Sequence, residues 1–211
     1  MAECYRSART IEQAVGARTY VLSEIKLNSS TANWQPRLAR DHDITALAEL
    51  IRISSRTLQA PYYTAAQIEA ALGPIFAVDR QLIRDGTYFV IEQNNEIIGC
   101  GGWSKRKSLY GGDNERSAED NMLDPKSDAA RIRAFFVHPS WARRGIGKSI
   151  LKACETAIIS AQFLKADLVA TLAGEPLYAA FGYEIVERYE IPMANGLTLP
   201  VVRMSKSFAS S

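Results

Sequence analysis

Apolar positions along the chain switch between two spacings. Ile44, Leu47, Ala48, Leu50 and Ile51 recur at intervals of three and four, which predicts a helix buried on one face, and either aspartate of Asp41-His42-Asp43 can serve as its N-cap. A short apolar stretch from Pro36 to Ala39 predicts a strand before it. Thr64 predicts the cap of a second helix, striped by Ile68, Ala71 and Leu72, interrupted near Gly73-Pro74, resumed through Leu82 and Ile83, and stopped by Gly86. From Thr87 to Gln93 and again from Glu96 to Trp103, aromatic and β-branched residues predict two antiparallel strands, with Asn94-Asn95 supplying the positive φ of a tight hairpin turn. Residues 105–130 mix charges with Gly111-Gly112 and Pro125 and hold no period, which predicts a long loop or hairpin excursion. Arg131 to Val137 reads as a strand ended by Pro139. Ile146, Ile150, Leu151, Cys154, Ala157 and Ile158 then share one face of a helix that starts near Gly145. Ala166 to Thr171 is a further strand, and Pro176 opens a short helix that Gly182 ends. Tyr183–Pro192 and Leu197–Met204 flank Asn195-Gly196, the strongest two-residue hairpin signal. The order β, α, α, β, β, β, α, β, α, β, β predicts a mixed α/β sheet flanked by helices, with no internal repeat.

Composition narrows the class without naming a chemistry. The 211 residues are 47% hydrophobic and 23% charged, as in an ordinary globular domain. Residues 1–33 end in the polar run Asn28 to Asn33 and read as an N-terminal extension, leaving 34–211 as one domain. Lys plus Arg exceed Asp plus Glu by 25 − 23 = 2, so no global excess of positive charge points to nucleic acid, and any anion recognition must be local. No stretch approaches the roughly 18 apolar residues of a membrane span, and the N-terminus lacks a signal-peptide apolar run, so the expectation is a cytoplasmic protein that uses no membrane. Cys4, Cys100 and Cys154 lack CxxC spacing, and with only His42 and His138 no metal centre is expected.

The stretch Ile132-Arg133-Ala134-Phe135-Phe136-Val137-His138-Pro139-Ser140-Trp141-Ala142-Arg143-Arg144-Gly145-Ile146-Gly147-Lys148-Ser149 carries the chemistry. A strand runs into a loop with two glycines one residue apart, and the loop opens into an amphipathic helix. The first helical turn leaves N–H groups unpaired and presents the positive end of the dipole, while glycine lets an anion approach the backbone. Arg143, Arg144, Lys148 and Lys152 cluster there with no acid among them, which suits a phosphate-bearing ligand. Gly147-Lys148-Ser149 also ends a loose P-loop match, with Ala142 in place of its first glycine. That reading needs a downstream apolar strand ending in a metal-binding acid, whereas Asp167-Leu168-Val169-Ala170-Thr171 has its acid at the start.

These residues resemble the GCN5-related N-acetyltransferases, over about residues 35–206. The resemblance implies a mostly antiparallel central sheet. It assigns the pantetheine arm of acetyl-CoA to the backbone of Phe135, Phe136 and Val137, and the pyrophosphate to the loop Ala142, Arg143, Arg144, Gly145, Ile146, Gly147 and Lys148. Ala142 stands where the family usually has Gln or Arg, and Arg143 where glycine is frequent. A second match, Pro176-Leu177-Tyr178-Ala179-Ala180-Phe181-Gly182-Tyr183, is similar to the family's Tyr-x-x-x-Gly-Phe/Tyr signature, in which the tyrosine protonates the departing thiolate; this implies a catalytic role for Tyr178. The asparagine often found shortly before it is absent here. The implied function is acetyl transfer from acetyl-CoA to a primary amine of a small molecule or protein, in a ternary complex and without metal. The alternative is a catalytically silent acyl-CoA-binding or regulatory module.

The acceptor side is less legible. Glu92, Asp113 and Glu115 are candidate general bases, with an ordered water as the equal alternative. Trp103, Tyr62, Tyr63 and Tyr110 are candidate walls of an acceptor pocket, each equally able to be core or rim. Arg131 and Arg133 are read as structural ion pairs, His138 before Pro139 as a turn residue, and Cys100 and Cys154 as buried and inert. The edge of the last hairpin makes a homodimer the expected assembly, if any.

Overall fold

The computed structural model describes residues 34–107 and 121–208. The N-terminal extension with Cys4, and the candidates Tyr110, Asp113 and Glu115, lie outside the described residues.

The described strands form one sheet in the order β1-β2-β3-β4-β5-β7-β6, where β1 is Arg37–Leu38, β2 Tyr88–Gln93, β3 Glu96–Ser104, β4 Ala130–Val137, β5 Lys165–Thr171, β6 Glu184–Pro192 and β7 Thr198–Ser207. All neighbours are antiparallel except β4 and β5, which run parallel. The helices are α1 (Ile44–Leu58), α2 (Ala65–Ala71), α3 (Arg80–Arg84), α4 (Ile146–Ser160) and α5 (Glu175–Ala179). The expected order of elements is therefore present, with one difference. The second helix does not resume after Gly73-Pro74 but divides into α2 and α3. Leu72 leaves helical geometry at ψ 124°, Gly73 turns at φ +96°, and Asp79 starts α3 afresh by accepting the Leu82 N–H at 3.1 Å. An acid that caps a helix satisfies one of its orphan donors, so the break costs little.

The hairpin turns behave as their residues require. Asn94 and Asn95 have φ of 52° and 64°, and Asn195 and Gly196 have 59° and 71°, the paired left-handed geometry of a type I′ turn. The ends of the excursion also pair: Arg106 bridges Met122, and the Leu123 N–H donates to the Lys105 carbonyl at 2.8 Å. This stem leaves the sheet at the start of β4, away from the loop that follows Val137.

Each face of the sheet is buried by a different layer. On one face α4 packs Ile146, Ile150, Leu151, Cys154 and Ile158 against Ile98, Ile132, Leu168 and Met204. On the other, Leu47, Leu50 and Ile51 of α1 and Ile68 of α2 cover Tyr88, Val90, Cys100 and Phe136. Both described cysteines are buried and reduced, and burial pushes the Cys100 thiol up to about 12, as expected for inert core residues. Among the described residues no helix is long and apolar enough to cross a membrane.

The start of α4 sits close to β3 because β3 carries a glycine there. A Cβ at Gly99 would overlap Cγ2 of Ile146 and crowd Cδ1 of Ile150. Overpacking of this kind costs about 1–3 kcal/mol. Gly99→Ala is therefore expected to destabilise the fold by that amount, read as a lower urea midpoint with an unchanged denaturant slope.

Candidate active site

The single parallel pairing in the sheet is short. Ala130, Arg131 and Ile132 of β4 face Ala166, Asp167 and Leu168 of β5, and the pairing then stops, although β4 continues to Val137 and β5 to Thr171. Asp167 ties the closed end: it accepts from Arg131 at 2.9 Å, from Arg203 at 3.0 Å and from Ser205 Oγ at 2.7 Å. On its far side β5 stays paired with β7 as far as Thr171 and Val201. The strands therefore diverge into a wedge whose inner backbone edges lack a strand partner.

A cavity of about 480 Å³ occupies this wedge. Its walls include Phe135, Phe136, Val137, Ala142, Arg143, Gly145, Ile146, Gly147 and Lys148 on the β4–α4 side, and Tyr178 on the other. Of the residues anticipated for cofactor binding and for proton donation, only Arg144 is outside the lining. Its guanidinium stacks on Trp141, 4.9 Å from the ring centre, and its carbonyl accepts the indole N–H of Trp34 at 2.7 Å. Trp34 in turn meets Trp141 edge to face at 5.7 Å.

The loop is shaped by backbone conformation. His138, through Nδ1, accepts the Ser140 N–H at 3.3 Å and begins a turn of 3-10 helix, consistent with the turn role expected of it. Arg143 and Gly145 then adopt φ of 63° and 86°, and Gly145 precedes α4 with no side-chain cap. The first N–H groups of a 15-residue helix are thus left facing the cavity mouth. Gly147 sits opposite Leu177, whose Cδ2 would be 3.2 Å from an added Cβ, so a larger residue would narrow the channel. Helix N–H groups, the positive dipole end, Arg143 and Lys148 together make a face that can receive an anion.

Tyr178 is 6% exposed and both packs and lines the cavity. Its ring meets Phe135 at 5.9 Å and Tyr183 at 6.0 Å, both edge on. Burial raises its hydroxyl pKa well above that of a free tyrosine, so the group holds its proton at neutral pH. It can give a proton to a forming anion and cannot serve as a resting base.

Beyond Tyr178 and Phe136 the lining is mostly apolar: Leu58, Ile75, Phe76, Ile191, Leu199 and Val201. Set among them is a buried ion pair, Arg133 Nε to Asp79 Oδ2 at 2.8 Å, both side chains under 5% exposed. The expectation of structural pairing thus holds for Arg131 and Arg133, although the second pair also walls the cavity. Ser54 of α1 lines it too, accepting the Val137 N–H at 3.3 Å. The acceptor-side candidates fare differently. Glu92 is held by Arg37 at 2.7 Å, Trp103 is buried against Phe163, and the Tyr63 hydroxyl donates to the Pro200 carbonyl and accepts from the Leu172 N–H, each at 2.8 Å. Tyr62 is 49% exposed. None of these four is in the cavity lining. Ser54, Asp79 and the apolar wall escaped the sequence pattern because they come from α1, the irregular turn after α2 and the last two strands.

Residues 84–185 match the family model described as an acetyltransferase (GNAT) domain. Several solved structures share the fold. A GCN5-related N-acetyltransferase of Rhodopseudomonas palustris is 20% identical with a TM-score of 0.63, covering 83% of this chain and 96% of its own. A PaiA N-acetyltransferase of Thermoplasma acidophilum, solved with coenzyme A, is 14% identical with a TM-score of 0.55, covering 82% and 98%. A GNAT-family acetyltransferase of Brucella melitensis, solved with acetyl-CoA, is 13% identical with a TM-score of 0.51, covering 84% and 89%. No curated protein matches the sequence. Residues 84–185 thus match an acetyltransferase (GNAT) domain model, and the sheet and helices have the fold of these N-acetyltransferase structures.

Removing one member of a buried pair strands the other charge, at a cost of about 3–5 kcal/mol. Asp79→Asn, which keeps a helix-capping oxygen, is expected to lose stability of that order in a denaturant titration. The double variant Asp79→Asn/Arg133→Met should recover most of it.

Proposed function

We propose that the protein transfers the acetyl group of acetyl-CoA to a primary amine by direct attack while both substrates are bound. The observation that carries this reading is the wedge itself: unpaired helix N–H groups and basic side chains at its mouth, a β4 edge with no strand partner beyond Ile132, and a protonated tyrosine in its wall. The N–H groups at the start of α4, with Gly145, Gly147, Arg143 and Lys148, would hold the pyrophosphate. The β4 edge from Phe135 to Val137 would pair with the pantetheine amides, and the Phe135 N–H would polarise the thioester carbonyl. The amine nitrogen attacks the carbonyl carbon; the C–N bond forms, the C–S bond breaks, the nitrogen loses a proton to solvent and the sulfur takes one from Tyr178. No metal enters this balance. The apolar wall of Ile75, Phe76, Leu199 and Val201 favours an amine on a largely apolar body.

Calorimetry tests the ligand. Acetyl-CoA is expected to bind without magnesium, and ATP with magnesium is not. Binding of ATP with no response to acetyl-CoA would restore the nucleotide-loop reading. Gly145→Val puts a β-branched residue at φ +86° and should weaken acetyl-CoA binding at least tenfold, an order-of-magnitude expectation from the poor tolerance of such residues for left-handed geometry.

Tyr178→Phe keeps the ring against Phe135 and Tyr183 and deletes the hydroxyl. With an amine that the wild type acetylates, kcat is expected to fall by about two orders of magnitude while CoA affinity and Tm hold. Full activity would assign the proton to another donor, and lost CoA binding would make Tyr178 a binding residue.

A further inference from the structure

The catalytic strand contains a residue in an unfavourable conformation. Ala134, midway along β4 and in the cavity wall, has φ +59°, a left-handed geometry that a residue with a Cβ resists. It belongs to a bulge. Cys100 of β3 faces Phe136 and Gly102 faces Arg133, so Ala134 and Phe135 together oppose Gly101 alone. Gly101 permits this, because a Cβ there would lie 2.6 Å from the Phe135 ring. What holds the bulge from below is the hydroxyl of Tyr88. This side chain is fully buried in the layer under β4, and its oxygen lies 3.3 Å from the Ala134 carbonyl oxygen and 3.3 Å from Cys100 Sγ. A carbonyl is a far better acceptor than a thiol, so the hydroxyl proton goes to Ala134. Burial raises the Tyr88 pKa, and the proton stays.

The peptide that joins Ala134 to Phe135 is planar and trans. A carbonyl drawn down toward Tyr88 therefore turns the Phe135 N–H the opposite way, away from Tyr88. We propose that Tyr88 is a positioning residue: its hydroxyl fixes the Ala134 carbonyl and thereby aims the Phe135 N–H at the acyl oxygen. This rests on the acetyl-transfer reading above, with the Phe135 N–H as the polarising donor. Tyr88 touches no substrate and acts through the peptide it holds.

Tyr88→Phe removes the hydroxyl and retains the ring. Acetyl-CoA binding by calorimetry is expected to stay within about twofold of wild type, while kcat falls about tenfold to a hundredfold, less than the loss of an oxyanion donor outright. Ala134→Gly introduces a residue that accepts positive φ without support, so adding it to Tyr88→Phe should restore most of kcat. Infrared difference spectra of bound acetyl-CoA labelled at the carbonyl carbon report the polarisation without turnover. The carbonyl band is expected below its solution frequency in wild type, closer to it in Tyr88→Phe, and lowered again in the double variant. An unchanged kcat and band in Tyr88→Phe would overturn the proposal. So would a joint loss of kcat, CoA affinity and Tm that Ala134→Gly fails to repair, because that pattern is structural. If wild type binds acetyl-CoA but acetylates no amine, the transfer reading falls, and the band position still decides the role of Tyr88. If wild type binds no acetyl-CoA, both fall.

Discussion

β4 and β5 share hydrogen bonds for three residue pairs and then separate, and this parting is what the rest of the molecule is arranged around. Backbone donors and acceptors need partners, so two strands that diverge inside a sheet create an unmet demand along their inner edges. The structure confines that demand to one place. β3 pairs with β4 on one side and β7 with β5 on the other, leaving the wedge open between them. Asp167, gripping Arg131, Arg203 and Ser205, stops the separation from running back through the sheet. The glycines of β3 let α4 and the Phe135 ring press close at the point where the strands part.

Charge follows the same division. Guanidinium groups below the wedge are matched by carboxylates: Arg131 by Asp167, and Arg133 by Asp79. At the mouth, Arg143 and Lys148 stand exposed beside unpaired helix N–H groups. The net charge of +2 hides this asymmetry, because the basic groups at the mouth are a local feature and not a property of the whole surface.

The order of elements and the residues that line the β4–α4 side of the cavity were legible in the sequence because both are local. The period of α4, the two asparagine turns and the strand–loop–helix run from Ile132 to Ser149 are encoded by neighbours in the chain. Tyr178 was legible through its spacing to Gly182 and Tyr183. The opposite wall of the cavity was not, since Leu58 of α1, Phe76 and Asp79 of the turn after α2, and Val201 of β7 converge from separate parts of the chain, and no periodicity records that. The split between α2 and α3 was missed for a related reason. Leu82 and Ile83 continue an apolar stripe, yet Asp79 starts a new helix whose acid also faces Arg133 across the fold. The positive φ of Ala134 has no sequence signature at all; it follows from Gly101 on the neighbouring strand and from Tyr88 on the next.

The placement of the indoles has an optical consequence. The chain has three tryptophans. Trp103 is sealed in the core against Phe163, whereas Trp34 and Trp141 meet beside the loop, one bonded to the Arg144 carbonyl and the other under the Arg144 guanidinium. Indole emission shifts with the polarity and charge around the ring. The molecule therefore carries one fluorophore that reports on its core and a pair that reports on its loop, so that a spectral change on adding a ligand could be traced to the loop without attaching a dye.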